Sequence, residues 1–402
     1  MPLQLSSTAM ESSSDTTGPV FDKIPQQKRT RVDVGSKDTP TPSWEGIQPD
    51  TLGEVLRSLP CLSDRASLRS VCHHRRTSGR GRGVSPPLPL LVFSKFRFSS
   101  LTPEGILMVR RRAWMPLELD ADNACCVGSF DAWLVGAKRA GGECFLVNAF
   151  THAVIHLPHL GSVSNYSLHK AALSASPESA PNYTVAAFGF RQCKPELALW
   201  KPGMRTWRVC HNAFLPGHVD IAFYQEKLYL LWRFMPSLFS VELGEDEHGV
   251  TFSSVKDCLV ERLLPSPAGS NHELSCNMVE WHGRLLLIIR YYAGYQGRRR
   301  VVKVKAFAMD FSTNPYGLTE IHSFGTDCIF VGSGSSMSFP AGEHRGVEGD
   351  LIYFVNDHYN PDDGFAYSMR DGRPRNIIGP VPCMTRAAEH RLGFPVWLFP
   401  TE

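Results

Sequence analysis

Apolar and polar positions divide the chain into two textures. Between Trp44 and Arg76 the apolar residues recur at helical spacing. Leu52, Val55, Leu56 and Leu59 fall at i, i+3, i+4 and i+7 and so line one face of a helix. Pro49 suits its first turn, where the missing N–H costs nothing, and Pro60 stops it after Leu59. A second helix is expected from Ser63, whose hydroxyl can cap free N–H groups, with Asp64 at the positive end. Leu68, Val71 and Cys72 are its apolar positions. A helical pair this short has too little apolar surface to stand alone, so its stripe either docks on the rest of the chain or is offered to a partner.

From Leu90 onward, short apolar or alternating runs recur between Gly, Pro, Asn and Asp, and nothing reads as a long helix. Cys126–Gly128, Trp133–Val135, Phe145–Val147 and Val154–Leu157 form one set. Tyr183–Phe188, Leu197–Trp200 and Thr206–Val209 form a second, and Ile221–Tyr224, Leu228–Trp232, Leu238–Val241 and Val250–Val255 a third. Met278–Glu280, Leu285–Arg290, Val302–Met309 and Leu318–Ile321 follow, then Cys328–Val331, Leu351–Val355 and Phe365–Tyr367. These are five weak repeats of about fifty residues, the period of kelch-type propeller blades. Leu90–Phe96 and Ile106–Val109 could join Val396–Phe399 to close a sixth blade and abolish the open edges. A large antiparallel sandwich is the competing architecture, but it needs no kept repeat order. The expected fold is mainly β: a small N-terminal helical part, then a single kelch-like β-propeller of about six blades.

Residues 1–43 are rich in Ser, Thr, Pro and Lys and are expected to form a disordered tail. Residues 44–76 hold the helices, 77–89 form a Gly/Arg then Pro linker, and 90–402 form the propeller. Across 402 residues, 42 basic side chains face 39 acidic ones, so nothing argues for a polyanion partner over the whole surface. Lys28–Arg31 resembles a nuclear import signal but reads better as a solvated charge cluster. Eleven cysteines without a C-x-x-C pair read as buried thiols in a reducing compartment. Neither a signal-peptide run nor a membrane-span run is present, so a soluble cytoplasmic or nuclear protein is expected, without nucleic-acid or membrane partners.

Candidate chemistry is thin. Gly332–Ser336 is not G-x-S-x-G, and no phosphate-binding glycine loop occurs. His152, His156 and His159 cluster in sequence, yet Pro158 and strand geometry argue against a shared metal. Asp357, Asn360, Asp362 and Asp363 lack the spacing of a calcium loop and read as a hairpin tip. The triplets Arg110–Arg112 and Arg298–Arg300 look like solvated strand ends. No catalytic residue, metal ligand or cofactor site is therefore expected.

Trp44, Pro49, Leu52, Val55, Leu56 and Leu59, then Leu62–Arg65, then Val71–Cys72, fall in the order and spacing of an F-box, which this stretch resembles. The resemblance implies docking on a Skp-type adaptor and, through it, a cullin ubiquitin ligase. The adaptor-binding anchor would comprise Pro49, Leu52, Val55, Leu56, Leu59, Leu68, Val71 and Cys72. One departure is Arg75 or Arg76 where F-boxes usually carry a Trp. The runs CVGSFDAWLV, FLVNAFTHAVIHLP, LALWKPGMRTWRV, NMVEWHGRLLLIIR and GDLIYFVND resemble plant F-box proteins with a kelch-like C-terminal propeller. Here the departures are Ala132 in place of Gly and Asn148-Ala149 in place of Asn-Pro.

The resemblance implies a substrate-recognition subunit of a ligase, which acts by raising local target concentration and does no bond chemistry itself. Two other readings stay open: a propeller enzyme or small-ligand binder using the central channel, and a scaffold whose degenerate F-box serves no ligase.

Overall fold

The computed structural model describes residues 87–399 between breaks, the longest being 261–272, 356–363 and 378–394, and before them only residues 51, 54, 55, 59 and 65. The described residues form twenty-five strands in six sheets. Blade one holds β1 (Leu90–Phe93), β2 (Arg97–Leu101) and β3 (Leu107–Arg112). Blade two is β4 (Ala124–Phe130), β5 (Trp133–Lys138), β6 (Cys144–Asn148) and β7 (Val154–Leu157). Blade three is β8 (Tyr166–Leu173), β9 (Val185–Arg191), β10 (Lys194–Trp200) and β11 (Arg208–Cys210). Blade four is β12 (Val219–Tyr224), β13 (Lys227–Trp232), β14 (Leu238–Asp246) and β15 (Gly249–Cys258). Blade five is β16 (Glu273–Trp281), β17 (Arg284–Ala293), β18 (Arg300–Asp310) and β19 (Gly317–Ile321). Blade six is β20 (Asp327–Val331), β21 (Ser336–Pro340), β22 (Leu351–Val355), β23 (Gly364–Ser368) and β24 (Pro374–Asn376). The last strand, β25 (Val396–Leu398), returns to blade one and pairs antiparallel with β1.

Six apolar clusters stand between neighbouring blades, one at each interface. Blades one and two share Val92, Leu134, Phe145 and Leu398; blades six and one share Phe330, Tyr353, Leu91 and Trp397. The sheets therefore close into a ring. Each middle strand is covered on both faces by a neighbouring blade, which is why Leu285–Ile289 and Leu351–Val355 are continuous apolar runs and not alternating ones. Tight turns join the strands. Gln225 and Glu226 both take positive φ, 46° and 61°, as do His282 and Gly283 at 49° and 69°, the geometry of a primed hairpin turn.

The expected six-bladed ring and its closure from both ends are present. Four strands differ from expectation. The strand placed at Leu90–Phe96 ends at Phe93 as β1, and β2, which follows that run, was not expected. The inner strand β8 was not expected, because its sequence YSLHKAAL mixes polar and apolar positions. In blade six, β21 and β24 are added, and β20 lies parallel to β22. The parallel pair wedges β20 between the inner strand β21 and the outer three, making a five-stranded blade. Pro87, Leu88 and Pro89, at the end of the expected linker, are buried, and Leu88 lies in the cluster joining blades six and one.

Candidate functional site

The inner strands β25, β4, β8, β12, β16 and β21 lie at one end of their sheets and neighbour one another around the centre. In blades two to five, antiparallel order puts the entry into the inner strand on the same face as the turn between second and third strands. That entry face carries the Gln192–Cys193 and Arg233–Ser237 turns.

A chain of buried polar groups crosses the blades just below this face. In β8 the register slips between Leu168 and Lys170, so His169 is an extra residue on that strand. Such a bulge re-aims its neighbours: His169 is exposed, while Lys170 is buried and ion-pairs with Asp220 of β12. The other Asp220 oxygen accepts hydrogen bonds from the Met278 N–H at 2.7 Å and from Asn277 Nδ2 at 3.4 Å, both in β16. Asn277 Oδ1 in turn accepts from Arg290 Nη2 at 3.0 Å, and the same nitrogen donates to Ser275 Oγ at 3.2 Å. The Arg290 guanidinium lies 4.8 Å from the centre of the Phe354 ring in blade six. Blades three to six are thus linked by one polar line. Burial lowers the Lys170 pKa, against the pull of Asp220, and Arg233 nearby adds to the lowering.

Above that line, aromatic and imidazole rings gather across blades three and four. His169 and Phe190 stand 4.9 Å apart, Phe190 and His218 5.6 Å, and His218 and Phe234 5.5 Å. Met235 beside them is 49% exposed. The Arg233–Ser237 turn is held from both sides: Arg233 N–H donates to His218 O at 2.9 Å, and Cys276 N–H donates to Arg233 O at 2.7 Å. Aromatic and Met side chains on a rigid turn suit contact with another protein. Burial pushes the thiols of Cys126, Cys144 and Cys276 up to about 12, so these three stay protonated.

Sequence reasoning missed this site because it missed β8. The signal it had was a charged or amide residue inside an apolar run: Asp220 in VDIAFY, Asn277 in SCNMV, Arg290 after LLLII. Of the expected adaptor-binding residues, Val55 and Leu59 are described; Pro49, Leu52, Leu56, Leu68, Val71 and Cys72 lie outside the described residues, as does Arg75–Arg76. Thr51, Glu54 and Val55 have helical backbone, Val55 is 37% exposed, and Leu59 is half-buried. Arg65, also helical, is buried, and its Nε donates to Leu59 O at 2.7 Å.

His152 sits in the β6–β7 turn with φ 62°, off the strand that carries His156. Among the described residues no three His, Cys, Asp or Glu side chains gather as a metal site; the acidic run at 357–363 lies outside them. Gly332–Ser336 packs against the last strand: a Cβ on Gly334 would meet Val396 Cγ2 at 2.5 Å. The departures at Asn148-Ala149 also have a local reason. Ala149 N–H donates to Ala132 O at 2.9 Å, a bond proline could not make, and Asn148 Oδ1 accepts from the Phe150 and Thr151 N–H groups.

Residues 100–377 match the family described as KIB1-4 beta-propeller. The chain belongs to the KIB1-4 β-propeller family. No curated protein matches this family member in sequence. Among solved structures, the nidogen/laminin complex contains a chain similar at 9% identity and TM-score 0.39, covering 78% of this chain and 99% of that one. A luciferin-regenerating enzyme is similar at 8% identity and TM-score 0.31, over 61% of this chain and 69% of that one. The Bacillus subtilis arabinanase Arb43A is similar at 10% identity and TM-score 0.29, over 62% and 92%. The KIB1-4 propeller, six-bladed and with an aromatic entry face, is consistent with a protein-interaction scaffold.

Proposed function

We propose that this chain is the substrate-recognition subunit of a Skp/cullin/F-box ubiquitin ligase, with residues 44–76 docking the adaptor and the kelch-like propeller holding the target protein. The observation that carries the reading is Val55. It belongs to the apolar stripe of the first expected helix, has helical backbone, and stands 37% exposed, where an outside partner can cover it. The buried Arg65, whose Nε donates to the Leu59 carbonyl, supports a packed pair at this point of the chain.

The protein acts without cofactor or catalytic residue, in the cytoplasm or nucleus. It brings a target close to a ubiquitin-loaded enzyme. A second reading, a scaffold without a ligase role, is favoured by Arg75 and Arg76 standing where F-boxes place a Trp. A pull-down with purified Skp-type adaptor separates the two. The intact chain is expected to bind, and Leu56→Asp and Val71→Asp are each expected to abolish binding, because each forces a charge into an apolar contact. Binding that survives both substitutions would remove the first reading.

A further inference from the structure

Blade five differs from the others at its outer edge. β18 pairs with β17 from Arg300 to Ala308, but β19 covers only Ala306–Asp310. Among the described residues no strand pairs with the outer side of Arg300–Lys305. An uncovered strand edge offers alternate N–H and C=O groups to an incoming strand. The overhang in blade three, Lys194–Glu196, contains Pro195, which lacks the donor needed for pairing. The blade-five overhang, RVVKVK, has no proline.

We propose that the outer edge of β18 between Arg300 and Lys305 binds an acidic, extended segment of a partner protein by strand addition. Main-chain hydrogen bonds supply affinity in this mode and side chains supply selection. Arg300 and Lys303 are exposed, Arg298 and Arg299 precede them in sequence, and Val302 is 39% exposed between them. Lys305 is already tied to Glu320 at 2.9 Å, so β18 accepts carboxylates across its outer side where β19 exists. Cations on an edge repel neutral and basic strands, because pairing strips their hydration without return. Carboxylates directly opposite reverse that cost. The same charges that guard the edge therefore select its occupant.

Val302 also provides a clean way to close the edge. The register steps from Tyr292↔Val301 to Tyr291↔Lys303, so Val302 is bulged and opposes no residue of β17. Proline is tolerated at bulges, so Val302→Pro puts a residue unfit for strand pairing into the edge at the position least costly to the β17 pairing.

The proposal names a partner class for the interaction function inferred above, yet its test uses no adaptor, so either idea can fail alone. The full chain is titrated with a short fluorescent peptide of alternating Glu and Val or Thr. Controls are the same peptide with Lys for Glu, and the acidic peptide methylated on alternate backbone amides. Anisotropy is expected to report binding of the first peptide only, weakening as salt rises. Arg300→Glu with Lys303→Glu is expected to weaken it by about tenfold or more, and Val302→Pro to abolish it. Amides 300–305 gain hydrogen-exchange protection in the complex. Circular dichroism and melting temperature matching the parent establish that each variant is folded. Equal binding of the acidic and basic peptides, undiminished binding by the folded variants, or no binding by the intact chain would each overturn the proposal.

Discussion

Lys170 and Asp220 bring opposite charges out of water on neighbouring inner strands. Attraction offsets desolvation there only because the Met278 amide and Asn277 complete the carboxylate's hydrogen bonds. Removing one partner leaves the other stranded. Lys170→Met is expected to cost about 3–5 kcal/mol in urea unfolding, and adding Asp220→Leu should recover much of that. A double variant as unstable as the sum of the two singles would mean that the charges do not act as a pair. Asp131 is the opposite case, a partly buried carboxyl that faces a like charge on Glu178. Burial, then repulsion from Glu178, raises its pKa above 3.8. A raised folded-state pKa means the ionised form weakens the fold, so that penalty is present at neutral pH and fades as pH falls toward the unfolded value. Asp131→Asn should therefore melt higher than the parent at pH 7, with the difference shrinking through the acid carboxylate range. A pH-independent difference would place its origin elsewhere. Neither residue drew attention in the sequence: Asp131 reads as an ordinary turn residue, and Lys170 lies on a strand whose alternation its bulge obscures.

At the scale of the strand, legibility followed burial. β13, β17 and β22 sit between two neighbouring blades, are apolar along most of their length, and were expected where they stand. β8 and β21 face the centre of the ring, where polar residues are tolerated, and their sequences YSLHKAAL and SMSFP carry no period to read. The wedge of β20 beside β22 was likewise hidden, because strand identity can be read locally and strand partnership cannot. β25 is short but closely engaged. Trp397 is fully buried, its Nε1 donates to Val331 O at 3.2 Å, and its carbonyl accepts from the Ser129 and Ser335 hydroxyls. Its ring lies 4.7 Å from that of Phe330. Trp397→Ala is expected to lower stability by about 3–5 kcal/mol in chemical denaturation, as for other large-to-small core changes. A change under about 1 kcal/mol would mean that the seam collapses to fill the hole.

For the whole molecule, the repeat period and the two unmatched ends carried the architecture, and six interface clusters bear it out. The site was less legible, since it is assembled from blades three to six by ring closure and not by any local motif. A ring shares its strain, so opening one seam should be felt throughout. Deleting 395–402 removes the inner strand of blade one and leaves β1, with blade six's Phe330 and Tyr353, open to solvent. The truncated chain is expected to bind a hydrophobic dye and lose its single sharp melting transition, where the intact chain keeps one. A truncated chain that melts as sharply as the parent would show that five blades and a partial sixth suffice.

The seam has a further consequence for how the protein comes into being. β1 is made early and waits for β25, which follows it only after all the intervening blades have been synthesised. Until then every nascent copy carries an unsealed sheet, so chaperone protection has to last until β25 has emerged. A message cut short before β25 would yield a chain that cell quality control can recognise by its exposed seam, and synthesis through β25 becomes a condition for presenting the entry face at all.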